Sequence, residues 1–229
     1  MHPQQPLALA PPAGLAEWSE HSLLDAATRR ALGSVNRAFL GLATELAEEG
    51  RLKLIAGLPP RAIDSLIHPD AGERLCERLP YALFDLRFGD GAYWESESAA
   101  AGGVQDAPGG APADERVTAL ARAAVMLAWH LAQTRPAAAR IVFGTAPATI
   151  GALAGLPVAA VEKVARRVAS SLTARFGSRA RFWLQFEGCG AHPDDRSVDS
   201  LQRLGLQIQG AESARQQALQ RRPRRTAAA

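Results

Sequence analysis

The chain has 229 residues, with 26 basic and 23 acidic side chains, a formal net charge of +3, and 47% hydrophobic against 21% charged residues. That balance is ordinary for a globular protein, and so mild a charge gives no global reason to expect a nucleic-acid partner. No apolar run reaches the length of a membrane span, and Cys76 and Cys189 do not make a disulfide scaffold, so a reducing, cytoplasmic setting is expected.

Residues 1–18 are rich in proline and alanine and read as a flexible tail; Met1 to Gly14 lacks the basic-then-apolar order of a signal peptide. Leu32, Val35, Phe39, Leu42 and Leu46 recur at spacings of three and four, which predicts one apolar helix face, with Ser22 as its N-cap. Pro60 suits the first turn of a helix running to Ile67. His68-Pro69 breaks it, and a second short helix runs through Leu79 to Pro80. Tyr81 to Phe88 alternates loosely and has room for a short strand, with Tyr93-Trp94 packed behind it. Residues 95–115 hold glycine, alanine, proline and acids with almost nothing to bury, and read as a linker.

The same order then returns. A helix bears Leu120, Leu127 and Leu131; Pro147 opens a short helix; Gly155-Leu156-Pro157 breaks it; a longer helix runs to about Ser171; Arg175 to Trp183 closes the set. After Gly188-Cys189-Gly190 a last helix carries Leu201, Leu204 and Ile208, placed to pack across the second unit or onto a partner, and Arg221 to Arg225 form a basic tail.

The repetition is measurable. At a shift of 88, Leu32 falls on Leu120, Pro59 on Pro147, Pro69 on Pro157 and Arg87-Phe88-Gly89 on Arg175-Phe176-Gly177; one inserted residue then brings Tyr93-Trp94 onto Phe182-Trp183. The cysteines do not take part, since Cys76 shifts onto Val164. An internal repeat decides architecture before any motif does. The expected fold is mainly α: two similar small units, 19–94 and 116–187, each with a helix-turn-helix-like pair and a short strand, followed by a C-terminal helix and tail over 188–229.

The quoted segments resemble a family. Asn36-Arg37-Ala38-Phe39-Leu40, Leu42-Ala43 and Phe84-Asp85-Leu86-Arg87-Phe88-Gly89-Asp90 look like the FlhD family of bacterial flagellar regulators. In the second copy Arg140 to Gly144, Gly151 to Leu156, Val161 to Ala165 and Ala174-Arg175-Phe176 match the same pattern. The resemblance implies a mostly helical protein that dimerises and activates flagellar genes together with an FlhC-like regulatory subunit, which supplies much of the promoter DNA contact and the zinc site. By that analogy the chain is a fused pair of units, folding as an internal pseudo-dimer and open to self-association. The duplication, the long linker and the extra C-terminal helix depart from the family.

Charge separates the copies. Residues 160–181 carry Lys163, Arg166, Arg167, Arg175, Arg179 and Arg181 against Glu162, a net +5. Residues 72–93 carry Arg74, Arg78 and Arg87 against Glu73, Glu77, Asp85 and Asp90, a net −1. If one copy meets phosphate it is the second, and Lys163, Arg166, Arg167 and Arg175 are the candidate DNA contacts. A solvated helix face explains the same arginines. Cys189, His192, Asp194 and Asp195 lie close together but lack the second ligand pair that zinc requires, so no metal or other cofactor is expected. With no Gly-rich phosphate loop or nucleophile motif, a non-enzyme is expected. The recurring aromatics read as core anchors. The competing function is an adaptor of a flagellar or type III secretion assembly without DNA contact, docking through Leu201 to Ile208.

Overall fold

The computed structural model describes residues 24–58, 75–102, 114–191 and 194–221. Eight α-helices and one two-stranded ribbon occur among them, a mainly α fold as expected. The first of the two sequence-predicted helix pairs falls largely on residues 59–74, outside the described set.

Helix α1, Ala26–Glu48, buries Leu32, Val35, Phe39, Leu42 and Leu46, the stripe read from the sequence. Its cap is Asp25, whose carboxylate accepts the Thr28 N–H at 2.7 Å; Ser22 is outside the described residues. Asn36 sits in the buried stripe, fully enclosed. Its amide donates to Tyr81 O at 3.1 Å and accepts from Leu83 N at 2.9 Å, so this core polar group is satisfied while it holds the incoming strand. A 3-10 turn at Leu52–Leu54 follows α1, and strand β1 is Phe84–Asp85.

Helix α2, Gly91–Gly102, corrects the linker reading over residues 95–102. Trp94 is fully buried, Ala101 nearly so, and the run Ser98-Ala99-Ala100-Ala101 has the residue type with the highest helix propensity. Small residues looked like nothing to bury; they let α2 lie close against other helices.

In the second copy, α3 is Glu115–Thr134, capped by Asp114. Helix α4, Pro136–Phe143, has Pro at its first turn and ends at left-handed Gly144. Helices α5, Pro147–Ala154, and α6, Val158–Val168, form the expected pair about Gly155-Leu156-Pro157. A 3-10 turn, Ala169–Ser171, leads to β2, Thr173–Ala174. Helix α7, Ala180–Ala191, runs through Gly188 and Gly190, and the expected last helix, α8, is Asp195–Arg221.

Strands β1 and β2 pair antiparallel, with Phe84 opposite Ala174 and Asp85 opposite Thr173. A local twofold axis through that ribbon relates residues 89 apart, since it exchanges the two pairs. The same spacing joins the caps Asp25 and Asp114, the left-handed residues Arg87 and Phe176 (both φ 58), the 12-residue helices α2 and α7, and Trp94 and Trp183. It also superposes the buried faces of α1 and α3: Leu32 on Ala121, Val35 on Ala124, Phe39 on Ala128, Leu42 on Leu131. The ribbon and both flanking helices therefore follow 89, and the match of Arg87-Phe88-Gly89 to Arg175-Phe176-Gly177 at 88 is one residue out of structural register. Between them the spacing shortens, to 87 at the left-handed glycines Gly57 and Gly144.

The copies share one core. Helix α1 packs on α3, and α2 crosses over to pack on α5 and α6 of the other copy. Ala82 N donates to Val142 O, Ala174 N to Ala56 O and Arg175 N to Leu83 O, all at 2.8–2.9 Å. Helix α8 then straps both copies: Gln202 donates to Arg78 O at 2.7 Å, and Gln209 to Arg140 O at 2.6 Å.

Candidate functional site

The α5–α6 pair is the described element with helix-turn-helix form. Its turn is held from α3, where Trp129 Nε1 donates to Leu156 O at 2.9 Å and Gln133 Nε2 to Ala154 O at 3.4 Å. Helix α6 buries Ala160, Val161, Val164, Ala165 and Val168. That stripe leaves Val158, Glu162, Lys163 and Arg166 toward the outside, with Arg167 at its edge.

Arg166 is the most open of the four predicted contacts, its side chain 68% exposed. It pairs with Glu162 at 2.9 Å, one turn away. Glu162 also accepts from Arg122 of α3, which reaches it with two nitrogens. Those hydrogen bonds, Arg122 first and Arg166 second, hold the Glu162 carboxyl below the usual carboxylate range. Arg122 was missed in the sequence because it lies 40 residues from its partner and outside the basic window. Lys163 is half-buried beside Arg166.

Arg167 points elsewhere. It pairs with Glu97 of α2 at 2.6 Å, the two side chains only 22% and 16% exposed, and so it bolts the crossing helix to α6. Arg175 is enclosed, at 8% exposure, and its Nη1 donates to Val142 O at 2.8 Å. Burial pulls its guanidinium pKa down, while the nearby Asp85 charge opposes that shift. Two of the four candidates are therefore turned into the protein, because the ribbon and the crossing of α2 surround them. Arg179, from the same basic window, lies 3.7 Å from Glu212 of α8, and Arg181 is exposed on α7.

The face that remains mixes Arg122, Lys163 and Arg166 with Glu115 and Glu162. Few uncommitted cations means weak, salt-sensitive phosphate attraction. His192, Arg222 and the rest of the basic tail lie outside the described residues; Cys76 and Cys189 are both buried. No family model, curated protein or solved structure matched this chain.

Proposed function

We propose that this protein is an FlhD-like transcriptional regulator, non-enzymatic, that acts with an FlhC-like regulatory subunit to activate flagellar or motility-related genes. The observation that carries the reading is the twofold ribbon: two copies 89 residues apart pack about one axis, as a dimerising family fused into a single chain would. The inward-facing Arg167 and Arg175 fit a subunit that leaves most of the promoter contact to its partner. The adaptor reading rested on Leu201 to Ile208 as a docking face. Leu201 is fully buried and Leu204 and Ile208 pack against the core, which leaves that reading without its support.

The test is fluorescence anisotropy on flagellar promoter DNA over a salt series, with and without the FlhC-like chain of the same genome. The chain alone is expected to bind weakly, with affinity that falls with salt and with Lys163→Ala plus Arg166→Ala. The mixture is expected to bind tightly. A chain that neither associates with that subunit nor changes its DNA binding overturns the proposal.

A further inference from the structure

Where the two copies meet beneath α8, a cavity of about 440 Å³ opens. That is within the size range of small-molecule sites. Asp85, Gly144, Arg175, Gln209 and Glu212 are among its lining residues, so both copies and α8 contribute.

Two of these side chains are more than nine-tenths buried: Arg175 is 8% and Gln209 9% exposed. The guanidinium is held in place. Nη1 donates to Val142 O, and Nη2 rests against Gly144, where a Cβ would stand 2.3 Å away. Gly144 also has φ 66, so its lack of a side chain serves both backbone and guanidinium. Among the described residues Arg175 makes no ion pair, although the Asp85 charge acts on it from nearby. Asp85 Oδ1 accepts the Phe88 N–H at 3.1 Å. Gln209 donates Nε2 to Arg140 O, and its buried Oε1 has no donor among the described residues. Buried charges and acceptors are costly unless something answers them. Arg87 and Asp90 at the rim answer each other, and Glu212 keeps a long contact with Arg179.

The geometry points to a binding site for a small zwitterion with the chemistry of a free amino acid, its carboxylate on Arg175 and its ammonium toward Asp85 and Glu212. A guanidinium fork is matched to a carboxylate, which it can grip with two parallel hydrogen bonds. An ammonium needs acceptors alone, and the two carboxylates with Gln209 Oε1 provide them. The site does not depend on the regulatory reading. Because its walls come from both copies and α8, occupancy would tighten their union and stabilise the fold.

The test is calorimetry and thermal melting of the full chain with each proteinogenic amino acid, using propionate as the carboxylate-only probe and propylamine as the amine-only probe. At least one amino acid is expected to bind and raise Tm, with both probes weaker by about tenfold or more, the worth of one charged hydrogen bond. Arg175→Gln is expected to abolish binding. Should that variant not fold, Ser213→Trp, placed on the α8 side of the cavity, is expected to block binding with the far-UV circular dichroism unchanged. No binding by any amino acid, propionate binding as tightly as the best amino acid, or full binding in folded Ser213→Trp overturns the inference.

Discussion

Tyr81 donates its phenolic O–H to the carbonyl oxygen of Leu201 at 2.8 Å, across a separation of 120 residues. The ring is fully buried, meets Phe176 edge-on at 5.5 Å and lies 6.1 Å from Phe182. Burial pushes the phenol pKa far above its usual value, so it remains a donor throughout the working range. One side chain of the first copy thus joins the aromatic cluster of the second copy to the strap helix.

Gly205 of α8 lies directly over that ring, and a Cβ there would stand 2.2 Å from Tyr81 Cζ; at Gly210, further along the same helix, a Cβ would meet nothing within 4 Å. Alanine in a helix is ordinarily better than glycine by about 0.5–1 kcal/mol. Gly210→Ala is expected to stabilise by about that amount, whereas overpacking at Gly205→Ala costs about 1–3 kcal/mol. Urea unfolding should return opposite signs. Two stabilising substitutions would mean α8 is not docked on Tyr81.

Trp94 and Trp183 occupy equivalent places but not equivalent states. Trp94 Nε1 donates to Leu86 O at 3.2 Å, while the buried Trp183 Nε1 has no acceptor among the described residues. Trp94→Phe strands a carbonyl, at about 1–3 kcal/mol beyond the lost volume; Trp183→Phe removes an N–H that was already unanswered. Guanidinium denaturation should show Trp94→Phe as the more destabilising by at least about 1 kcal/mol. Equal losses would contradict the difference.

The Arg167–Glu97 pair is sheltered and links two helices from different copies, whereas Arg166–Glu162 is an open i,i+4 pair on one helix. A double-mutant cycle to alanine should give a coupling of about 0.5–3 kcal/mol for the first. The second is expected to stay below about 0.5 kcal/mol. A near-zero coupling for Arg167 and Glu97 would free Arg167 as a DNA contact.

Asp114 should mark the acid limb of stability. Hydrogen bonds from Arg116, before any other cause, hold its carboxyl down at about 2. In the unfolded chain the group titrates near about 3.9. A depressed folded pKa contributes stability that is present above the unfolded value and lost as pH falls toward the folded one. Asp114→Asn keeps a capping acceptor and removes the charge, with the oxygen that accepts from Arg116 Nη2 replaced by an amide nitrogen. The variant should be less stable by a constant amount above about pH 5, and the gap between the two curves should shrink progressively down to about pH 1. Parallel curves across that window would refute the assignment.

The amphipathic stripe of α1 and the proline punctuation at Pro147 and Pro157 were readable because one face, or one missing N–H, determines them locally. The exact repeat spacing was not. Phe39 is replaced by Ala128 in the same buried place, so volume moved between elements while identity misled: Leu32 and Leu120 are both buried, yet they lie on different parts of their helix faces. Helix α2 was hidden by its small residues, whose value appears only against α5 and α6. Arg175 looked exposed because it sits in a basic window; its burial follows from the β1–β2 ribbon, and two paired residues have no periodicity to detect. The Arg122–Glu162 contact joins helices 40 residues apart and has no local signature.

The most direct test is native-state amide hydrogen exchange, resolved by residue, at Ala82, Ala174 and Arg175. Each of these N–H groups bonds to a carbonyl of the other copy. If the two copies form one interlocked body, all three exchange only through global unfolding, with one common free energy that falls together under rising denaturant. Fast exchange at these three amides, or separate opening energies for the core amides of α1 and α3, would contradict it.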